Sequence, residues 1–298
     1  MIVRTYRGKR LPAGEMVFQV ALHLFLIALT VTFVVPFLLI LGTSFVSKAE
    51  IARRGFVFFP ETWDFTAYNM MLFQNTEVWR AYGVTLFRVV IGTLGALLVT
   101  GMFAYAVAKR DLPGRQALLV LAFITMIFYG GLIPSYLVIK SLGLIDSLWC
   151  LVLPNLMSVW NMLILRNFFY SIPSSLEESA LLDGASPPVI FFKIIIPLAM
   201  PAFATIGLFY AVDHWNQWFD AAIWINDVKK YPLQMVLRKY VLMSSTYDLK
   251  FDMATGAKPP DMGIKSAIVV ISTVPMLCIY PFIQKYFVKG VMVGSVKG

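Results

Sequence analysis

The sequence predicts an all-α integral membrane protein with six transmembrane helices. Apolar residues make up 59% of its 298 positions and aromatic residues 15%, more than a water-facing surface accommodates. Charged residues are only 14%, and they collect in the gaps between apolar runs instead of spreading as they do on soluble amphipathic helices. Six of those runs reach the roughly 20 residues a helix needs to cross a hydrocarbon core.

The spans are expected near Val17 to Leu41, Tyr82 to Ala108, Ala117 to Ile139, Leu148 to Leu165, Leu198 to Ile225 and Ala267 to Ile283. The first is too long for a signal peptide and has no small-residue cleavage site after it, so it is expected to stay as a helix. Arg4, Arg7, Lys9 and Arg10 precede it, and Lys109, Arg110 and Arg115 fill the tight connection between spans two and three. Positive charge in short flanks marks the cytoplasmic side. Both termini are therefore expected in the cytoplasm, in agreement with Lys285, Lys289 and Lys297 around the end of span six. The chain 1–298 reads as one transmembrane domain, with a patterned segment at 174–201 and an extracytoplasmic loop at 226–265.

Lys and Arg exceed Asp and Glu by 25 to 16, for a net charge of +9. In a membrane protein this surplus is topology signal, not a nucleic-acid footprint. The two cysteines, Cys150 and Cys278, lie in apolar segments without ligand or disulfide spacing. His214 has only His23 for company, so no metal is expected. No GxxxxGK[ST] loop is present, the nearest approach being GAKPPDMGIKS at 256–266, so the chain is not expected to bind ATP. No Ser/His/Asp arrangement suggests an enzyme.

The segment SSLEESALLDGASPPVIFFKIIIPLAMP begins too polar to span and is too patterned for a linker. Ser174 and Glu177 have the spacing of a capping box. Asp183-Gly184 offers the left-handed residue that ends a helix. Ser186-Pro187 can open a second helix, and Pro197 and Pro201 end it before span five. The predicted element is helix, bend, helix, with small residues Ser179, Ala180 and Ala185 that let a partner approach closely.

Glu178-Ser179-Ala180-Leu181-Leu182-Asp183-Gly184-Ala185, with Phe191, Ile194 and Pro197 after it, resembles the EAA motif of membrane subunits of binding-protein-dependent ABC importers. Ser179 stands where that motif prefers alanine, a small-for-small change. The tail YFVKGVMVGSVKG at 286–298 is similar to that of the maltose-type sugar permeases. GGLIPSYLVIKSLGLIDSLW, SVWNMLILRNFF and FYAVDHWNQWFDA resemble the subgroup for oligosaccharides of plant or algal polysaccharides, uronic-acid ones included, and most nearly the second membrane subunit of alginate importers. The resemblance implies the type I permease fold, a second homologous permease subunit, a cytoplasmic ATPase dimer that binds the ATP and Mg, an extracytoplasmic solute-binding protein and an oligosaccharide substrate. It implies coupling to the ATPase through Glu178, Ala180, Asp183, Gly184, Ala185 and Pro197. A stand-alone secondary transporter or channel is the alternative class, and it leaves 174–201 without a purpose.

Span five carries Asp213, His214, Asn216, Gln217 and Asp220 among Trp215 and Trp218. Carboxylates in lipid cost about 2.5 to 3.5 kcal/mol even on lenient scales, so they face a cavity or a partner. Asp213, Trp215, Asn216, Trp218 and Asp220, with Asn161 in span four and Arg88 in span two, form a candidate sugar path, since sugars take aromatic faces against C–H surfaces and amides or carboxylates on hydroxyls. The alternative is an interfacial tryptophan belt with Asp213 and Asp220 bonding neighbouring helices. Arg88 either snorkels to the outer interface or lines the path to meet uronide carboxylates. In loop 226–265, LQMVLRKYVLM at 233–243 has helical spacing, and Lys250 to Asp261 is the stretch that the resemblance sends into the binding protein's cleft. The tail 288–298, with three glycines, is expected to be extended and, by resemblance, to reach the ATPase.

Overall fold

The computed structural model describes residues 13–242 and 262–295 of the chain, and every regular element among them is helical. The chain divides into two compact units, one of residues 1–74 and 243–271, the other of 75–242 and 272–298. Lys250 to Asp261 and the last three residues lie outside the described residues.

In the first unit, helix α1 (Ala13–Thr43) is apolar throughout and long enough to cross a membrane. Phe18, Phe25, Phe33 and Phe37 are exposed along it, as on a helix facing lipid. At its end a Cβ on Gly42 would collide with the carbonyl oxygens of Val57 and Phe58, so only glycine admits that pass of the chain. Thr43 Oγ1 accepts from the Val57 amide at 3.1 Å. Phe45 gathers Trp63, Phe65 and Tyr68 with ring centroids 4.9 to 5.5 Å away. Helix α2 (Lys48–Arg54) is capped by Ser47, which accepts from the Glu50 amide, and Glu50 in turn takes Arg54 at 2.7 Å and the Glu61 amide at 3.1 Å. Helix α3 (Thr66–Asn69) runs into a wider turn at Met70–Gln74.

The second unit is built on α4 (Thr76–Ala108), a single membrane-length helix. Gly92, Ala96, Thr100 and Ala104 recur every fourth residue and are all buried, the small-residue stripe that lets helices in lipid approach closely. The third span is interrupted: α5 (Arg115–Ile127) and α6 (Leu132–Ser141) meet at 117°. This departs from the uninterrupted span expected at Ala117 to Ile139, because Gly130-Gly131 breaks the helix, with Gly131 at φ +91°, and Pro134 in the next turn needs no donor. The fourth begins as a tighter helix over Leu148–Asn155 and bends 47° into α7 (Val159–Phe169). Helix α8 (Ser174–Leu182) follows, then α9 (Pro187–Leu198), which turns 85° into α10 (Met200–Asn216).

Helix α10 packs along α4. Its Tyr210 hydroxyl accepts the Ser158 amide at 2.8 Å and shares a 2.6 Å hydrogen bond with Thr100 Oγ1, joining three elements in the core. Span five then breaks at Gln217-Trp218 before α11 (Phe219–Trp224), where one helix to Ile225 was expected. Helix α12 (Leu233–Leu242) forms at the helical spacing noted in the sequence. It is clamped to the start of α4 by Lys239 on Glu77 (2.9 Å), Tyr240 donating to Glu77 (3.2 Å) and the Leu233 amide on Thr85 (2.8 Å). Asp146 accepts the amides of Asp227 (2.9 Å) and Asn226 (3.1 Å) and pairs with Lys230 (2.9 Å); these donors, the Asp227 amide first, hold its carboxyl below the usual range. The last helix, α13 (Met262–Ser295), corrects the extended tail expected from residue 288. Extending a formed helix by a residue is far easier than nucleating one, so Gly290 and Gly294 do not end it.

The stripe on α4 yields a packing test. A Cβ at Gly92 would sit 2.5 Å from His214 Nε2, with two further atoms of the buried ring under 3.0 Å. Gly92→Ala is therefore expected to cost about 1–3 kcal/mol by overpacking in thermal denaturation of the purified protein, and Gly92→Ala/His214→Ala to recover part of it.

Candidate functional site: a bent helix pair and a cavity among broken spans

Helix α8 ends in a complete glycine cap. Gly184 sits at φ +82°, its amide donates to Leu181 O at 3.0 Å, and the Ala185 amide donates to Ala180 O at 2.9 Å, the paired bonds of a Schellman turn. Gly184 is thus placed by backbone geometry; nothing lies within 4 Å of its Cβ position. Glu178, Asp183 and Gly184 are exposed, Ala180 is buried, Ala185 is half-buried and Pro197 exposed. Leu181, Leu182 and Phe192 are exposed as well, Leu182 at 90%.

The capping box expected of Ser174 and Glu177 does not form. Pro173 occupies the cap position without a side-chain bond, and the Glu177 carboxylate is taken by stronger partners. It forms an ion pair with Lys109 and accepts from Tyr105 Oη at 3.1 Å. Lys109 Nζ also lies 4.5 Å from the centre of the Tyr105 ring, and that ring packs on Phe169 and Phe191. One carboxylate therefore ties α8 to the end of α4. Tyr105 carries no signal in the sequence beyond its place in an apolar run.

Among the polar residues of span five, the structure makes a sharp division. Asp213 and Asn216 are exposed, Trp218 is half-buried, while His214, Trp215 and Asp220 are buried. Trp215 donates to Ser272 O at 3.3 Å. Asn161, 6% exposed, sits in the first turn of α7. Arg88 is completely buried and does not snorkel. Its guanidinium grips both oxygens of Asp220, Nη1 to Oδ1 at 3.1 Å and Nη2 to Oδ2, and Nη1 also donates to Gln217 O at 3.2 Å. Asp220 Oδ1 accepts the Ala221 amide at 2.7 Å. The planar fork of arginine suits this bidentate task. Arg88, Asp220 and the break between α10 and α11 are one construction: the carbonyl freed by the break and the carboxylate of the next turn share a cation.

A cavity of about 600 Å³ opens beside it, lined by Tyr129, Ser135, Asn155, Gln217, Asp220 and Trp224, among others. A second, of about 700 Å³, lies at the root of α8, between Tyr105, Lys109, Tyr170 and Glu177.

A family model for the inner membrane component of binding-protein-dependent transport systems matches residues 98–293. This chain belongs to that family. Two relatives from Bacillus subtilis (strain 168) are similar over nearly the whole length: the polygalacturonan/rhamnogalacturonan transport system permease protein YtcP, 44% identical over 94% of this chain and 98% of its own, and protein LplC, 46% identical over 95% of each. Among solved structures, a chain of a bacterial ABC transporter involved in the import of the acidic polysaccharide alginate aligns with a TM-score of 0.84 and 32% identity, over 94% of this chain and all of that one. The type I permease fold expected from the sequence is thereby established, and the chain is a transport component. The matched region takes in α8, α9, α10 and α11, so the bent pair and the Arg88 partner Asp220 belong to the family's own portion.

The buried pair yields a measurable consequence. Removing one partner of such a pair strands the other charge at a cost of about 3–5 kcal/mol, whereas replacing both with apolar residues is far less harmful. Arg88→Met is expected to lower the melting temperature of the purified permease, and Arg88→Met/Asp220→Leu to restore most of it.

Proposed function

We propose that this chain is one of two membrane-spanning subunits of an ATP-driven importer of oligosaccharides from acidic polysaccharides, pectin-type fragments first among them. The observation that carries the reading is the exposed bent pair α8–α9. A glycine-capped bend presents exposed Glu178 and Asp183 together with exposed Leu181, Leu182 and Phe192, and large apolar side chains exposed among charges suit a protein-docking surface. In this reading the pair seats on the ATPase, both termini are cytoplasmic, and loop 226–265 faces the solute-binding protein. The substrate class is supported by the names of the relatives, one concerned with polygalacturonan and rhamnogalacturonan, another with alginate, all polymers that carry uronic acid.

The tie from Glu177 to Lys109 and Tyr105 gives this reading its mechanics. As the ATPase dimer closes, α8 moves with it, and the ion pair passes the displacement to α4, the post on which α7 and α10 pack. Alternating access then follows from a shift between two arrangements of the spans. Import of labelled oligogalacturonides into liposomes bearing the complete transporter, driven by ATP and dependent on the binding protein, tests the function; uptake without ATPase or binding protein would overturn it.

Two variants test the coupling. Gly184→Leu forces a side chain into left-handed backbone, at roughly 1–2 kcal/mol, and projects it into the docking face; insertion should persist while binding-protein-stimulated ATP hydrolysis is lost. Glu177→Lys is expected to lower that stimulation roughly fivefold, the worth of about 1 kcal/mol for a half-exposed pair. Glu177→Lys/Lys109→Glu should regain it.

A further inference from the structure

Three spans of the second unit are interrupted, and the interruptions converge on one cavity. The chain between α5 and α6 supplies Tyr129 and Ser135 follows in α6, the tight helix before α7 supplies Asn155, and the break between α10 and α11 supplies Gln217, with Asp220 and Trp224 beyond it. In hydrocarbon, irregular backbone is tolerated only where it is buried in protein or lines a water-filled space. Three breaks around one volume of about 600 Å³ therefore mark it as an aqueous cavity and not a lipid-filled groove. Discontinuous helices are also the usual way a transporter exposes backbone and side-chain polar groups to its cargo.

The chemistry of the wall specifies that cargo. Tyr129 and Trp224 offer aromatic faces, Asn155 and Gln217 offer amides, and Ser135 a hydroxyl. The indole N–H of Trp224 is buried and has no hydrogen-bond partner among the described residues, so it is the ring that Trp224 brings to the wall. Among the described residues, no lysine or arginine lines the cavity. The charge of its one lining carboxylate, Asp220, is cancelled from behind by Arg88, which is itself fully buried. The wall thus pairs with hydroxyl groups and C–H faces and offers no cation to an acid group.

We propose that this cavity is a sugar-ring subsite of the transport path, which reads the hydroxyls and apolar face of a hexose unit and is indifferent to its carboxylate. Tyr129 and Trp224 stack on the ring, Asn155 and Gln217 bond its hydroxyls, and Arg88 is a positioning residue that fixes Asp220 and removes its repulsion toward an acidic sugar. The proposal deepens the import reading and rests on it.

The test uses the complete transporter in liposomes, supplied with radiolabelled digalacturonate or its neutral methyl ester through the binding protein. Trp224→Ala and Asn155→Ala should each lower sugar imported per ATP hydrolysed about tenfold, the effect of deleting one stacking or hydrogen-bonding group from the subsite, and equally for both sugars. Trp224→Phe, which keeps a smaller ring, should fall between. Copurification with the ATPase checks assembly, and Asn155→Ala carries the test if Trp224→Ala fails to assemble. Unchanged import per ATP overturns the subsite, and a loss confined to digalacturonate overturns its indifference to charge. Absence of ATP-driven uptake by the unsubstituted complex would instead remove the import reading and the subsite with it.

Discussion

Lipid offers no hydrogen bonds, so each backbone amide and carbonyl at membrane depth must find its partner inside the protein. That constraint keeps a long exposed helix such as α1 uninterrupted and makes each interruption an event that something else must accommodate. The break in span five shows the cost and its remedy most plainly. Gln217 O leaves the helix ladder, and Arg88 reaches across from α4 to take it while holding Asp220. A cation, a carboxylate and a freed carbonyl that would each be expensive alone become acceptable as a set. The small-residue stripe on α4 serves the same end, because only close approach of α10 lets the guanidinium reach.

The fold is largely legible in the sequence because its signals are long and redundant. Apolar runs of membrane length declare themselves, and the Asp183-Gly184 turn is legible because a left-handed residue has few alternatives to glycine. Two local features are not legible for one reason, that the partner is far away in sequence. Ser174 and Glu177 have capping-box spacing, yet Lys109 and Tyr105, some 70 residues earlier, take the carboxylate. The same S-x-x-E spacing at Ser47 and Glu50 does give a cap on the Glu50 amide, since there the local bond is the one that wins. Arg88 reads as snorkelling first and as lining the path second, because its depth is visible in the sequence and Asp220, 132 positions on, is not visibly opposite it. The interruption at Gly130-Gly131 is present in the letters, and an argument from composition alone passes over it.

The bent pair is rigid at its bend and is tied to the rest of the second unit by backbone, by a side-chain ion pair and by Ala180, Ile190, Phe191 and Ile195 buried in the core. Its bend is fixed by two backbone hydrogen bonds at Gly184, and α9 enters α10 through an 85° turn, so displacement of α8 is not absorbed at the bend. Glu177 adds a side-chain route to α4 in parallel with the covalent one. The two routes differ physically: the backbone transmits any motion, whereas the ion pair resists only those that separate α8 from α4.

The division of span five into a buried and an exposed face has a further implication. Asp213 and Asn216 stand on the exposed side of α10, while His214 and Trp215, between them in sequence, are buried. A carboxylate left against lipid costs about 2.5 to 3.5 kcal/mol on the insertion scale and more by other estimates. A bilayer containing this chain alone would bear that cost, so the exposed face requires water or another protein surface. Burial of Arg88 and Asp220 cannot relieve it, because their charges already answer each other. Among the described residues of α10 and α11, the buried carboxylate of Asp220 is answered by Arg88, whereas Asp213 stands exposed with no ion pair.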